Sequence, residues 1–597
     1  MNEFARALAV VLAVFVSNVA AQQPAKLAPF AELRWTVEVP EVRVADAWVE
    51  VRAIDGRSTE EILAFCRTTW PDKVKKRFAE DLVEVLTRMG RAPGAEVDLV
   101  LRDRGGDFEF TLRAAMTAEN RRALRDGVRT IPRIARDHAD EPDARYADLA
   151  LPLLAIGDGT LTREHATQDL DQLESLVRTT FSYRDRTGVD VAAAFDAARL
   201  SIPERTNRSA FALLLERLIA RFGDGHAGVE GVEGLMAPGC LPFLVADSSA
   251  GLVAFRADRS GFVDEDHPIL TSVDGRPIAE WIDVAARSVA RGSPQLVRHR
   301  SLRRLRFAAQ LRAEAGWAPA NDAEIELASL DGSSRTKRRV ALADQKPIFG
   351  VWPRAMSRVL EGGIGYVRIE EMRDDPEFAR DLVARVGSLR DAPAVILDVR
   401  GNGGGSRGVL MALAPLFVGA NDAPRVVNVA VPLASEDSGP DALASRFLLP
   451  AAHPSWSIAA RAAVRSFARG FVPEWTPSET ELGARRYLVL ERGPDAREQP
   501  FAGRIVVLQD SACFSATDVF LAAFAELPNA ILVGIPSGGG SGRAQSVVLA
   551  NTRLVVELSS MISYRADGRL FDGRGVEPDV VVLPAPGDHL GRGDAVL

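Results

Sequence analysis

The residue with the clearest chemical setting is Ser515, in the stretch RIVVLQDSACFSATDVFLAAF from Arg504 to Phe524. Ile505, Val506, Val507 and Leu508 form a β-branched apolar run that reads as a buried strand. A polar turn at Gln509, Asp510 and Ser511 follows, and then Val519, Phe520, Ala523, Phe524 and Leu527 recur at helical spacing. The pattern predicts that a strand hands over to a helix at Ser515. A hydroxyl there sits among free backbone N–H groups and the positive end of a helix dipole, which would stabilise a developing alkoxide or oxyanion. The same position also suits an ordinary helix cap, with Thr517 or Asp518 in the first turn, because serine is a favoured cap.

Other residues could complete such chemistry. His226 lies in FGDGHAGVEGV, just past a predicted helix that Gly223 and Gly225 stop. A loop histidine is commonly a surface or packing residue, yet histidine is also the commonest acid–base group. The loop Arg400 to Gly405 begins a GxGxxG spacing at Gly403, Gly405 and Gly408. A dinucleotide site needs an acidic residue closing the next strand, and Asp422 precedes that strand instead. No Lys-Ser/Thr follows either glycine loop, which removes a P-loop, so no cofactor is expected. Glycines here suit close backbone approach with N–H groups turned toward an anion, as an oxyanion hole requires. Cys66, Cys240 and Cys513 are widely separated, which gives neither a disulfide framework nor metal spacing and suits small buried hydrophobes.

The elements that must position these groups fall into several segments. The 597 residues allow roughly four domains at about 150 residues each. With 47% hydrophobic and 26% charged residues the composition is that of a globular protein. A net charge of -8 and a pI near 5.7 argue against nucleic acid or an anionic membrane as the main partner. The one basic stripe, SLRRLRFAAQLR around Arg303 to Arg312, reads as a solvated helix face.

Residues 1–21 read as a signal peptide: a short apolar core from Ala7 to Val16, then Val19, Ala20 and Ala21 before Gln22. No cysteine suits a lipid anchor, so the expectation is a periplasmic or secreted chain without membrane insertion after cleavage. Residues 30–149 form an N-terminal α+β domain containing VRAIDGRSTEEIL and the probable hairpin GAEVDLVLRDRGGDFEFTL. Residues 150–235 are helical in pattern and carry His226. In 236–345 the N-terminal arrangement returns: LTSVDGRPIAEWI, then AEIELASLDGSSRTKRRVAL. Each copy leads a strand into Asp-Gly-Arg (Asp55 and Asp274 are the acids), then a helix with Glu61 or Glu280. From 346 to 597 short apolar strands alternate with helices, which implies an α/β domain with largely parallel strands. Within it, about 421 to 500 is rich in Pro, Ser and Arg and predicts long loops with short helices, and TRLVVELSSMISY predicts a strand pair.

Taken in order, GYVRI, AVILDVRGNGGG, RIVVLQDSACFSATD, ILVGIPSGGGSG and GVEPDVVV resemble the C-terminal-processing (tail-specific) serine peptidases and their tricorn-core-like relatives. The resemblance covers residues 150 to 585 and implies a Clp/crotonase-like catalytic core with a helical domain; the two Asp-Gly segments resemble PDZ-like modules. It implies Ser515 as nucleophile, with oxyanion donors on the backbone of Ala516 and of Gly403 or Gly404. The processing branch uses a lysine base at a position that is Gly540 here, and no lysine follows Lys346, while arginine does not deprotonate. The tricorn-like branch takes a histidine from the helical region, which implies His226. Its acidic partner matches Asp572 in FDGRGVEPD, with Asp in place of the branch's Glu; Asp579 is the runner-up, although its Pro-Asp-Val-Val setting reads as a structural carboxylate at a strand entry.

The implied function is a metal-free, cofactor-free serine endopeptidase acting on polypeptide substrates, with room for an oligomer. A catalytically silent peptide-binding relative and an esterase are the alternatives. A histidine base of ordinary acidity predicts activity rising near pH 7.

Overall fold

The computed structural model describes residues 26–36, 39–44, 47–102, 109–125, 160–419, 422–437, 439–477, 482–491 and 500–597. The expected signal peptide, and residues 126–159 at the junction of the first two expected domains, lie outside them. The chain divides into two compact units, Met1–Thr130 and Ile131–Leu597. Among the described residues no helix is long and apolar enough to cross a membrane.

In the first unit, strands β1 (Leu33–Thr36), β2 (Val39–Val44) and β3 (Ala47–Ile54) lead through the Asp-Gly turn to β4 (Arg57–Ser58). Helices α1 (Thr59–Thr69), α2 (Val74–Glu80) and α3 (Leu82–Arg88) follow. The hairpin β5 (Glu96–Arg102) and β6 (Glu109–Ala115) and helix α4 (Ala118–Arg125) close the unit. The sheet runs β1-β2-β3-β5-β6 with β4 paired to β3. Ser58 starts α1 with a capping box to Glu61, which satisfies the first free N–H groups of the helix. β5 alternates exposed and buried positions, as a sheet with one covered face requires.

The second unit opens with the short pair β7 (Leu161–Thr162) and β8 (Arg205–Thr206), which brackets α5 (Arg163–Thr179) and α6 (Val191–Ser201). Asn207 caps α7 (Arg208–Phe222), its side chain accepting from Ala210 N at 2.7 Å. After α7 comes β9 (Gly228–Val229).

A second sheet repeats the order of the first: β10 (Phe243–Ser248), β11 (Gly251–Arg256), β12 (Ile269–Val273), β14 (Asp322–Ala328) and β15 (Arg335–Ala341), with β13 (Arg276–Pro277) paired to β12. Between β13 and β14 again stand three helices, α8 (Ile278–Ala286), α9 (Pro294–Arg304) and α10 (Ala308–Glu314). Asp55 and Asp274 occupy the same left-handed turn position, at φ 49 and 54. Each accepts a backbone N–H from the facing strand, Asp98 at 2.9 Å and Glu324 at 3.1 Å.

The remaining chain contributes β16 (Arg358–Val359), β17 (Gly365–Arg368), α11 (Pro376–Gly387), β18 (Ala394–Asp398) and α12 (Gly408–Phe417). Next come β19 (Arg425–Pro432), β20 (Leu449–Pro450), α13 (Ile458–Gly470), β21 (Arg486–Leu490), β22 (Arg504–Gln509) and α14 (Ala516–Ala525). Then β23 (Ala530–Gly534), β24 (Ala544–Val548), β25 (Val555–Ser559), β26 (Met561–Arg565) and β27 (Val580–Val581). A six-stranded sheet β16-β17-β18-β22-β23-β27 is parallel from β17 to β27. β18 is apolar almost throughout and buried, as expected of a strand covered on both faces.

Three expectations change. Residues 421 to 500 hold more than loops and short helices: β19 and β21 pair within a four-stranded sheet β20-β21-β19-β26, and α13 spans 13 residues. β19 conceals its nature by burying a polar residue, Asn428, whose Nδ2 donates to Ser563 Oγ at 2.9 Å and Tyr564 O at 2.8 Å. β25 and β26 are not a pair, since β25 joins β24 and β9 while β26 joins β19. The basic stripe is not a solvated face: Arg304, Arg306 and Arg312 are buried and bonded to Glu216, Glu233 and Asp274.

Candidate active site

β22 lies between β18 and β23 and delivers its end to the edge of the apolar core. The turn after it is held by Asp510, which accepts N–H groups from Gly401 at 3.0 Å, Ala512 at 3.0 Å and Cys513 at 3.2 Å. Ser515 then adopts φ 59 and ψ -115, a region a non-glycine residue enters at a cost of about 1–3 kcal/mol. It stands at the N-cap position of α14, but its side chain caps nothing. Its Oγ lies instead 3.1 Å from His226 Nε2.

Two glycine loops shape the space around the hydroxyl. Gly404 has φ 105, and a Cβ there would come within 2.6 Å of Phe514 O and 2.8 Å of Ser515 Cβ, so only glycine fits. Asn402, fully buried, ties this loop to the start of α14: its Oδ1 accepts from Gly404 N at 3.0 Å and Thr517 Oγ1 at 2.8 Å, and its carbonyl accepts from Phe514 N at 3.1 Å. The Gly404 amide is therefore engaged, contrary to the expectation that it faces an oxyanion. The amides of Ala516 and Gly403 have no hydrogen-bond partner among the described residues. The second loop is held by buried Asp518, which accepts from Ser537 Oγ at 2.5 Å, Gly539 N at 3.1 Å and Gly540 N at 3.1 Å. Burial pushes the Asp518 carboxyl up to about 7, against the pull of these bonds. At Gly540 a Cβ would meet the Phe514 ring at 2.4 Å, so a lysine side chain has no room at this position. Lys346 is bonded to Glu233.

His226 reaches the serine across 289 positions of sequence. α7 ends at Phe222, and Asp224 holds the following turn by accepting from His226 N at 2.9 Å and Ala227 N at 3.0 Å. β9 then adds to the sheet of β24 and β25, pairing Val229 with Val556. The imidazole packs on Phe514 with ring centroids 4.5 Å apart. Burial, followed by the charges of Arg446 and Arg300, pushes its pKa down to about 3 rather than leaving it near neutrality. The resting imidazole is thus neutral and able to accept a proton.

Asp572 is buried but makes no hydrogen bond to His226. Its Oδ2 accepts from Tyr183 Oη at 2.5 Å and Ser541 N at 3.3 Å. Its Oδ1 and His226 Nδ1 are both buried without a partner among the described residues. Burial and the nearby Asp224 charge raise the Asp572 pKa. Asp579 instead fixes the entry to β27, accepting from Leu532 N at 2.8 Å. Among the described residues no group of three or more His, Cys, Asp or Glu side chains could hold a metal. The sequence reading did not single out Asn402, Tyr183 or Phe514. Each acts through partners remote in the chain, and only the proximity of Asn402 to the glycine loop signalled a role.

Comparison with known proteins agrees with this arrangement at the level of family and fold. Residues 363–582 match the model for peptidase family S41. A tricorn protease homologue from Streptomyces coelicolor is 28% identical over 301 residues, which is 43% of this chain and 23% of that protein. The match therefore spans under a quarter of the relative's length. Mature CPAF complexed with lactacystin shares the fold with a TM-score of 0.50 at 20% identity, over 72% of this chain and 96% of that one. Mature CPAF alone gives 0.51 at 19% identity, over 72% and 94%.

Proposed function

We propose that this chain, whose residues 363–582 belong to peptidase family S41, is a serine peptidase in which Ser515 is the nucleophile and His226 its base. The observation that carries the reading is the 3.1 Å contact between a neutral, half-buried imidazole and a hydroxyl that caps no helix. His226 Nε2 takes the Ser515 proton as Oγ attacks the peptide carbonyl, then returns it to the leaving amine. The carbonyl oxygen, now negative, is received by the N–H groups of Ala516 and Gly403, and a water later repeats the cycle on the acyl-enzyme.

Asp572 is the proposed acidic third member. Anchored through one oxygen by Tyr183 and the Ser541 amide, its carboxyl is held toward the protonated form by burial at rest, and in its ionised form it favours the imidazolium formed during attack. We read 346–597 as a Clp/crotonase-like core, 150–235 as the helical domain that lends the base, and 236–345 as PDZ-like. The N-terminal domain shares that PDZ-like reading because its sheet order is the same. Export to the periplasm or beyond is supported by the leader-like segment Ala7 to Val16.

The test is labelling with a fluorophosphonate probe together with peptide turnover. Wild type should label on Ser515. Ser515→Ala should lose the label, and His226→Ala should lose at least about a thousandfold in turnover, both with unchanged circular dichroism. Hydrolysis that survives either substitution refutes the assignment. Labelling accompanied by cleavage of esters alone would make the protein an esterase.

A further inference from the structure

Between α5 and α6 a short turn meets the loop that carries Asp572, 389 positions later in the chain than Tyr183. Bonds on either side of Tyr183 fix the turn there. Ser182 N donates to Ser559 O at 2.8 Å and Ser182 Oγ to Met561 O at 3.0 Å. Arg186 Nη1 donates to the main-chain carbonyl of Asp572 at 2.7 Å. Tyr183 itself is buried: its Oη accepts from Ser563 N at 3.1 Å and stands 2.5 Å from Asp572 Oδ2. Trp475 stacks on the Tyr183 ring at 6.1 Å between centroids, and its carbonyl accepts from Tyr564 Oη at 2.7 Å, so the phenol is clamped from its other side.

The direction of the 2.5 Å bond follows from its neighbours. Burial, and then the charge of Asp572, raises the Tyr183 phenol well above its ordinary range, so it keeps its proton. The Ser563 amide can only donate, and it already takes a lone pair of Oη. Were the carboxyl the donor, the phenolic hydrogen would have no acceptor among the described residues. The phenolic proton therefore points to Asp572. Ser541 N donates to the same carboxyl oxygen at 3.3 Å, so both donors gather on Oδ2 and leave Oδ1 bare. Oδ1 borders Gly540, where an added Cβ would stand 3.4 Å from it and would also meet the Phe514 ring on which the imidazole packs.

The other influences on this carboxyl oppose its ionisation. Burial is the largest, then the like charge of Asp224 after α7, and Asp518 of α14 adds to both. His226 is neutral at rest. The cations nearby are turned to other atoms: Arg186 to the Asp572 carbonyl, Arg407 to Ser541 Oγ at 3.0 Å, and Arg574 to Glu474 at 3.0 Å. Among the described residues no arginine or lysine pairs with the Asp572 carboxyl, and Tyr183 is the one side chain that donates to it.

The geometry points to Tyr183 as a positioning residue of the reaction: its hydroxyl holds Asp572 as a carboxylate with Oδ1 bare, ready to favour the imidazolium when His226 takes the Ser515 proton. This deepens the peptidase reading above and rests on it.

The test is the pH dependence of peptide turnover by the full-length chain between about pH 5 and 9, in wild type, Tyr183→Phe, Asp572→Asn and the double variant. Phenylalanine keeps the ring against Trp475 and removes only the hydroxyl. In Tyr183→Phe the acid limb of kcat should move upward by about 1–2 pH units, as loss of a hydrogen bond to an ionised group predicts, with kcat recovering above the limb and KM within about twofold. In the Asp572→Asn background, Tyr183→Phe should change kcat/KM by less than about twofold. A limb that stays in place, a loss equal at every pH, or the same loss in the Asp572→Asn background overturns the role. The protonated-carboxyl stretch that Asp572→Asn removes from the infrared spectrum reads the same ionisation without turnover. In Tyr183→Phe that band should persist to higher pH; a band that titrates as in wild type overturns the role even in an inactive variant. Wild type that neither cleaves peptides nor labels with a fluorophosphonate sinks the peptidase reading, while the band still decides whether Tyr183 holds the carboxylate. Labelling and turnover with an unmoved limb and band sink the Tyr183 role alone.

Discussion

The two Asp-Gly sheets share strand order, turn geometry and the placement of three helices, yet their middle helices have different partners. In the first, Arg77 of α2 is answered inside its own unit by Asp81 at 3.1 Å and Glu84 at 2.9 Å. In the second, α9 directs its cap serine and a glutamine to the second glycine loop, and among the described residues Arg300 and Arg303 make no hydrogen bond or ion pair with a carboxylate, while Asp224 and Glu233 act on their charges from nearby. Arg77 thus meets its carboxylates inside its own unit, whereas Arg300 and Arg303 lie over Phe514 and Phe349 instead. Shared topology thus identifies a scaffold, and the chemistry depends on what the exposed end of each helix meets.

Core truncations should separate the copies most strongly. Phe78 of α2 is fully buried against Phe30 and Trp35, so Phe78→Ala should cost the N-terminal unit about 3–5 kcal/mol in denaturant unfolding with turnover unchanged. Leu296 of α9 lies where Gly225 and Gly538 approach Phe514. Leu296→Ala should cost about 2–4 kcal/mol and lower turnover about tenfold or more, because the ring under the imidazole loses its support. Equal effects of the two changes on turnover would erase the distinction.

A smaller difference is expected at the turns. Asp55→Ala removes a backbone hydrogen bond and should cost about 1 kcal/mol. Asp274→Ala also strips the buried Arg312 guanidinium of its carboxylate and should cost about 3 kcal/mol. Matching losses in thermal unfolding would show that the ion pair adds nothing.

The mildest effect concerns pH. The neutral form of the imidazole is the one able to accept a proton, and it is present above its pKa; because burial and the charges of Arg446 and Arg300 depress that pKa, His226 should place no inflection in kcat/KM between pH 8 and 5, and any loss on acidification there should report the raised Asp518 and Asp572 carboxyls. Arg300→Gln removes one depressing charge and should move the acid limb upward, toward the ordinary histidine range. An imidazole that titrates near pH 7 by NMR would contradict the half-buried, neutral His226.

Much of this was legible in the sequence. The strand-to-helix handover at Ser515 was visible because its apolar periodicity changes within a few residues. The repeat was visible through its Asp-Gly turns, each of which demands a left-handed backbone. His226 emerged only through a resemblance, since no local pattern reports a partner 289 positions away. The tie of Asp572 to Tyr183 was hidden for the same reason. The arginines near 304–312 looked solvated because periodicity cannot reveal that Glu216 and Glu233, far upstream, come to meet them. β19 looked like loop because a polar asparagine interrupts its apolar run, and the β26 groups it donates to, Ser563 and Tyr564, lie 135 and 136 positions away.

The short pairing of Val229 with Val556 bears on synthesis as well as on architecture. His226 precedes Ser515 in the chain, but the strand that stitches the loop of His226 down follows both. A ribosome must therefore have made the chain through Val556 before this pairing can fix the loop that holds His226 beside Ser515.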